Sequence, residues 1–142
     1  MALKSYSPKN VSISGDAELI TSWQNVSVEY DEDRWGFTEA TTGEVTRTRH
    51  EGKLGTISIT LPQTTTDNEA MNSLVAEQDA VEVGAIPPTI ALTIKDNWGN
   101  SIHVMPEATL VKKPSCEFST DPNDREWVFK GELENHTVGG NS

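Results

Sequence analysis

The sequence predicts a mainly β chain, an antiparallel two-sheet sandwich or barrel with one short flanking α-helix at about residues 67–79. Three observations predict it. Short β-branched runs alternate polar and apolar residues with a period of two. Clusters of turn residues separate those runs. Only one segment carries helical spacing together with a capping signature.

Asn10 to Ser14 and Ala17 to Thr21 flank the turn pair Gly15-Asp16, which suits a short hairpin. From Asn25 to Asp31, Val26, Val28 and Tyr30 share one face, while Asn25, Ser27, Glu29 and Asp31 share the other. Gly43 to His50 is a further extended run, with Val45, Arg47 and Arg49 opposite Glu44, Thr46, Thr48 and His50. Thr56 to Leu61 places Ile57, Ile59 and Leu61 inward and Thr56, Ser58 and Thr60 outward.

The helix follows. Thr66-Asp67-Asn68-Glu69 matches a capping box, and Met71, Leu74, Val75 and Gln78 recur at helical spacing. Pro87-Pro88 enforces an extended entry to Thr89–Lys95, where Ile90, Leu92 and Ile94 share a face. Asp96-Asn97-Trp98-Gly99-Asn100 is a turn cluster, and Ser101 to Met105 returns as its hairpin partner. Ala108 to Lys112 is one more strand. Arg125 to Glu134 is the last, with Trp127, Phe129 and Leu133 inward. A single domain over 1–142 is expected, with a flexible arm at 1–9, a long inter-strand loop at 31–43 and a loose tail at 136–142.

The charge narrows function. There are 22 Asp and Glu against 11 Lys and Arg, a net charge of −11. That excess argues against a duplex-DNA binder, which neutralises phosphates with clustered cations. Cys116 is the single cysteine, so neither an internal disulfide nor a cysteine-rich zinc cage is possible, and it reads as a small, partly buried residue. No apolar run approaches a membrane span, and the opening residues lack the apolar stretch of a secretory signal. The chain is therefore expected to be made in the cytoplasm, and its three Asn-x-Ser/Thr tripeptides read as chance matches.

No catalytic or metal pattern emerges. Counting an EF-hand from Asp31 puts Trp35 at the fifth position and Thr42 at the twelfth, where oxygen ligands are needed. His50, His103 and His136 are far apart along the chain, with no ligand spacing, and His50 and His103, in strands, read as surface or hydrogen-bonded histidines. There is no G-x-S-x-G elbow and no phosphate loop, so no cofactor and no enzymatic activity are expected.

Three features point to assembly instead. The segment Asp31–Gly43 carries Trp35 and Phe37 in a long polar connection, where docking explains an aromatic pair better than back-folding. Trp98 sits at a hairpin tip, where a large ring is costly to expose, so it is a candidate interface aromatic. The outward faces of Asn25–Asp31 and Thr56–Leu61 hold Ser, Thr, Asn and acids and no Lys or Arg.

Taken in order, Val26-Ser27-Val28-Glu29-Tyr30-Asp31, Gly43-Glu44-Val45-Thr46-Arg47, Gly55 to Thr64, Asp67-Asn68-Glu69, Lys95-Asp96-Asn97-Trp98-Gly99 and Glu126-Trp127-Val128-Phe129 resemble the tail tube protein of contractile-tailed bacteriophages over about Asn10 to Leu133. The resemblance implies a structural, non-enzymatic subunit in the virion tail, assembled in the host cytoplasm. It implies six-membered rings stacked into a hollow tube inside a sheath, with sheath, baseplate and tail-terminator proteins as partners. DNA would pass through without specific binding. On this reading Asp31, Trp35 and Phe37 are candidate inter-ring contacts, and Ser27, Glu29, Thr56, Ser58 and Thr60 are candidate lumen-facing residues. Two alternatives stand beside it: a carbohydrate-binding module stacking sugars on Trp23, Trp35, Trp98 and Trp127, and a ring-forming tube protein of a related secretion system.

Overall fold

A computed structural model describes residues 3–4, 6–8, 11–15, 18–20, 23–79, 84, 86 and 89–140. Among them lie ten strands and one helix: β1 (Val11–Gly15), β2 (Glu18–Ile20), β3 (Asn25–Tyr30), β4 (Trp35–Glu39), β5 (Val45–Arg49), β6 (Leu54–Leu61), α1 (Asp67–Asp79), β7 (Ile90–Asp96), β8 (Ile102–Lys112), β9 (Arg125–Glu132) and β10 (Asn135–Thr137). The mainly β class and the single short helix are as the sequence predicts. The turn residue Asp16, the Pro87-Pro88 pair and the Gln78 side chain lie outside the described residues.

The main sheet runs β2-β1-β7-β8-β9-β6-β3, antiparallel throughout, with β10 also on β8. It curls into a half-barrel because β8 is shared. The first half of β8 pairs with β7 and β10, and its second half pairs with β9. Sequence reading expects two strands here; they are one, bent at Pro106. Leu92 faces Met105 and Ile90 faces Ala108, so β8 carries an extra residue at that point. The bulge lets Met105 and Ala108 both point into the core although three positions separate them. A bulge is also where a strand tolerates proline, which donates no ladder bond.

The concave side holds the core. Ile13, Ile57, Ile59, Leu61, Leu92, Ile94, Trp127, Phe129 and Leu133 come from the strands. Met71, Leu74 and Val75 come from one face of α1, which closes the opening as the stripe predicts. Each fully buried aliphatic or aromatic side chain contributes roughly 1.5–3 kcal/mol of burial, so this cluster dominates stability. The helix cap differs in one detail from the expected box. The Thr65 hydroxyl accepts from the Asp67 N–H at 3.3 Å, while the Thr66 carbonyl accepts from the Glu69 N–H at 2.9 Å.

Two boundary expectations need correction. The segment 31–43 is not a plain loop, because Trp35–Glu39 pairs with Val45–Arg49 as a two-stranded ladder separate from the main sheet. Its turn closes through Ala40 and Gly43, with Gly43 at φ 87°, a left-handed conformation suited to glycine. The tail is not loose either. Beyond β10, the Gly139 N–H donates to the Ser101 hydroxyl, that hydroxyl donates back to the Gly139 carbonyl, and the Asn100 N–H donates to the Gly140 carbonyl. These bonds, two through the Ser101 hydroxyl and one between backbones, tie the tail to the turn between β7 and β8 up to Gly140.

Candidate assembly surfaces

Two surfaces follow from the strand register. The first is the convex polar face of β3, β6 and β9. Asn25 faces Thr60, Ser27 faces Ser58 and Glu29 faces Thr56. The rows continue on β9 with Glu126, Val128 and Lys130. The structure thus brings Ser27, Glu29, Thr56, Ser58 and Thr60 onto one face, alternating with the buried Ile57, Ile59 and Leu61.

The same face acquires a lysine that β3 and β6 alone do not contain. Lys130 Nζ donates to Asp31 Oδ2 at 3.0 Å, and the Thr56 hydroxyl donates to Asp31 Oδ1. The Thr56 hydrogen bond, followed by the Lys130 hydrogen bond and charge, holds the Asp31 carboxyl below its ordinary value of 3.8. Asp31 therefore sits at the rim of the polar face, at the base of the projecting hairpin. The acidic triplet it opens fails the calcium-loop spacing in sequence, and in the fold its first carboxylate engages a hydroxyl and an ammonium.

The second surface is the β4–β5 hairpin. Trp35 faces Arg49, Phe37 faces Arg47 and Glu39 faces Val45, so these six side chains share one side. Gly36, Thr38, Thr46 and Thr48 occupy the other. Every residue of β5 is exposed, and on β4 only Gly36 is not. Phe37 is 72% and Trp35 39% exposed, with the Arg47 guanidinium 4.9 Å from the Trp35 ring centroid. Arg34, Arg47 and Arg49 are three of the chain's four arginines. Within the hairpin Arg47 and Arg49 are matched in number by Glu39 and Glu44, so in a chain of net charge −11 it is a charge-neutral, aromatic projection with a local arginine pair.

The remaining candidates divide. Trp98 is 45% exposed, and its backbone N–H donates to Asp96 Oδ1 at 3.0 Å within the turn. Trp127 is 2% exposed and donates its indole N–H to Asn68 Oδ1 at 3.1 Å. Trp23 packs partly buried against the core. The four tryptophans thus form no common stacking platform, and Trp127 is a core residue. Cys116, expected to be partly buried, is exposed, since it lies in the strandless run between β8 and β9.

One relationship was invisible to sequence spacing. β10 lays His136 opposite His103 on β8, with their Nδ1 atoms 2.8 Å apart. The Tyr30 ring stands edge-on to His136 at 4.9 Å between centroids. Burial, and then the His136 charge, lowers the His103 pKa from its ordinary 6.5. His103 is hydrogen-bonded, as the sequence suggested. Among the described residues no cluster of three or more His, Cys, Asp or Glu could hold a metal ion.

Comparison with known proteins places these surfaces in context. The family model described as "Bacteriophage PhiTE tail tube protein" matches residues 8–137. No curated protein sequence matches the chain. Among solved structures, the chain is similar to the tube-terminating cap of the anti-feeding prophage at TM-score 0.62 and 10% identity, covering 100% of this chain and 95% of that one. It is similar to a chain of the sheath–tube complex of the extracellular contractile injection system PVC, in the extended state, at TM-score 0.58 and 12% identity, covering 97% and 93%. It is also similar to the PVC sheath/tube terminator at TM-score 0.56 and 13% identity, covering 93% and 96%.

Proposed function

Since the chain belongs to the phage tail tube protein family, matched over residues 8–137, we propose that it is a virion tail component that stacks as six-membered rings into a hollow conduit for DNA. The tube role comes with the family; ring number, conduit chemistry and contacts are our reading. The observation that carries it is the β4–β5 hairpin, which exposes Trp35 and Phe37 beside Arg47 and Arg49 and buries none of them against its own domain core. An aromatic projection with an exposed arginine pair, on an acidic body, is self-complementary: copies stacked axially can place Trp35, Phe37 and the Arg47–Arg49 side of one hairpin on the acids of the next. Asp31 braces the hairpin base, and Trp98 is a second contact at the opposite turn.

The half-barrel supports the lateral contact. β3 ends the sheet, and among the described residues only β6 pairs with it. An open edge invites another strand, and a ring of neighbours would supply one and close a larger barrel. The polar face of Ser27, Glu29, Thr56, Ser58 and Thr60 would then line the bore. Its lysine is already occupied by Asp31, which leaves little for a passing phosphate to grip. Sheath, baseplate and terminator proteins are the expected partners of such a tube.

Negative-stain microscopy of the purified protein tests this reading. Hollow tubes or six-fold rings are expected; a monodisperse monomer at all concentrations would overturn it.

A further inference from the structure

Among the described residues the fourth arginine pairs with no carboxylate. Arg125 opens β9 on the core-facing side, in line with Trp127 and Phe129, and is only 7% exposed. Among the described residues its side chain donates one hydrogen bond, from Nη1 to the Asn123 carbonyl at a long 3.4 Å, and Phe118 lies 5.8 Å from its guanidinium. Neither partner carries charge. Asp124, next in the chain, turns to the other side, where the Gln24 amide donates to its two oxygens at 2.7 and 2.8 Å in the orientation that satisfies both groups.

Arg125 instead borders a pocket of about 210 Å³ beside the start of α1, lined also by Gln63, Asn68, Asn72, Lys113 and Trp127. Two cations and three amides face it, and no carboxylate does. The frame is built: Trp127 donates to Asn68, Asn68 donates to the Pro62 and Thr65 carbonyls, and Gln63 accepts from the Asn123 N–H. Burying a guanidinium without a counter-charge is costly, and few proteins leave one so. A planar, monoanionic group entering the pocket would form charge-assisted, bidentate bonds to the preformed fork. The net charge of −11 disfavours a dianion such as phosphate more than a carboxylate.

We infer that this pocket is a carboxylate receptor, with Arg125 as the buried fork and Lys113 as the exposed second cation at its mouth. The carboxylate has two possible sources: a dissolved small acid, or an Asp or Glu side chain of a neighbouring copy. Only the second rests on the tube reading. The test uses the unassembled full chain, titrated with sodium acetate against sodium chloride at equal ionic strength, with the Trp127 indole N–H followed by NMR. A saturable shift in acetate alone is expected, weakened at least about tenfold in Lys113→Glu, the factor that loss of one charged hydrogen bond produces. A shift equal in chloride, no saturation, or an unchanged affinity in Lys113→Glu would overturn the inference. Assembly then separates the sources. If a neighbour's carboxylate fills the pocket, acetate and Lys113→Glu both slow tube formation. If saturable binding stands while assembly is unaffected, the ligand is a dissolved acid. Failure of the wild type to form tubes would count against the tube reading alone, because acetate binding is measured without them.

Discussion

Gly55 and Gly131 lie directly opposite each other where β6 meets β9, and neither has room for a side chain. A Cβ on Gly55 would lie 2.3 Å from Leu133 Cδ1 and 2.9 Å from the Glu29 carbonyl oxygen. One on Gly131 would lie 2.4 Å from the Glu107 carbonyl oxygen. At the glycine pair Leu133 packs close over one strand and the Glu107 carbonyl of β8 close against the other.

Gly131→Ala is therefore expected to destabilise the fold by about 2–3 kcal/mol, the upper range for overpacking, because the obstruction is backbone and not a flexible side chain. Urea denaturation of the unassembled protein measures this. An unchanged midpoint would mean that the curl is softer than the contact distances imply.

Trp35→Ala and Phe37→Ala are expected to leave monomer stability within about 0.5 kcal/mol, since both side chains stand outside the core. Tube polymerisation should weaken strongly, because buried aromatics carry most of an interface's energy. Sedimentation of assembled material would show shorter or fewer tubes; tubes of unaltered length and stability would remove the hairpin from the stacking contact. Charge reversal at Arg47 and Arg49 should act in the same direction, and added salt should weaken wild-type stacking.

Glu29→Lys and Ser58→Lys each place a cation on the polar face without disturbing the inward isoleucines. Both are expected to assemble and to lower infectivity, since each exposed lumen lysine adds a favourable phosphate contact. Plaque counts equal to wild type for both would show that this face does not line the bore.

The histidine pair predicts a pH dependence. The folded protein takes a proton at His103 less readily than the unfolded chain does, because the pKa is lowered from 6.5. Above that value both states are neutral and the pair adds no slope. As pH falls below 6.5 the unfolded chain binds the proton first, so stability drops until the pH passes the lowered folded value. His136→Ala should flatten that part of the curve in chemical denaturation, and an equally steep slope in the variant would assign it elsewhere.

Asp31 acts in the opposite pH range. Its carboxyl titrates below 3.8 in the folded state, so its contribution is fully present above that value and lost as pH falls through the lower folded value. Asp31→Asn at neutral pH should cost no more than about 1 kcal/mol, as for other exposed pairs, but it would free Lys130 on the polar face. A loss of infectivity exceeding the loss of stability is the expected signature, read from plaque counts beside urea denaturation.

Local periodicity alone determined the strands from Asn25 to Asp31, Thr56 to Leu61 and Thr89 to Lys95, the inward set Trp127, Phe129 and Leu133, and the α1 stripe. Side-chain alternation and helical spacing are properties of neighbours in sequence, so one face buried and one face wet leaves its mark in the chain itself. The polar face was legible for the same reason. Strand β4 was not, because a strand with no core to face shows no apolar alternation, and Trp-Gly-Phe-Thr-Glu reads as connection. Tertiary pairing alone decided that Pro106 sits at a bulge, that His136 meets His103, that Lys130 reaches Asp31 and that the tail is bound. It also decided that Arg125 ends in a pocket whose described lining holds amides and a lysine but no acid. Each of these joins residues brought together only by strand register and the curl of the sheet, and register is set by the packing of the whole core, not by any one segment.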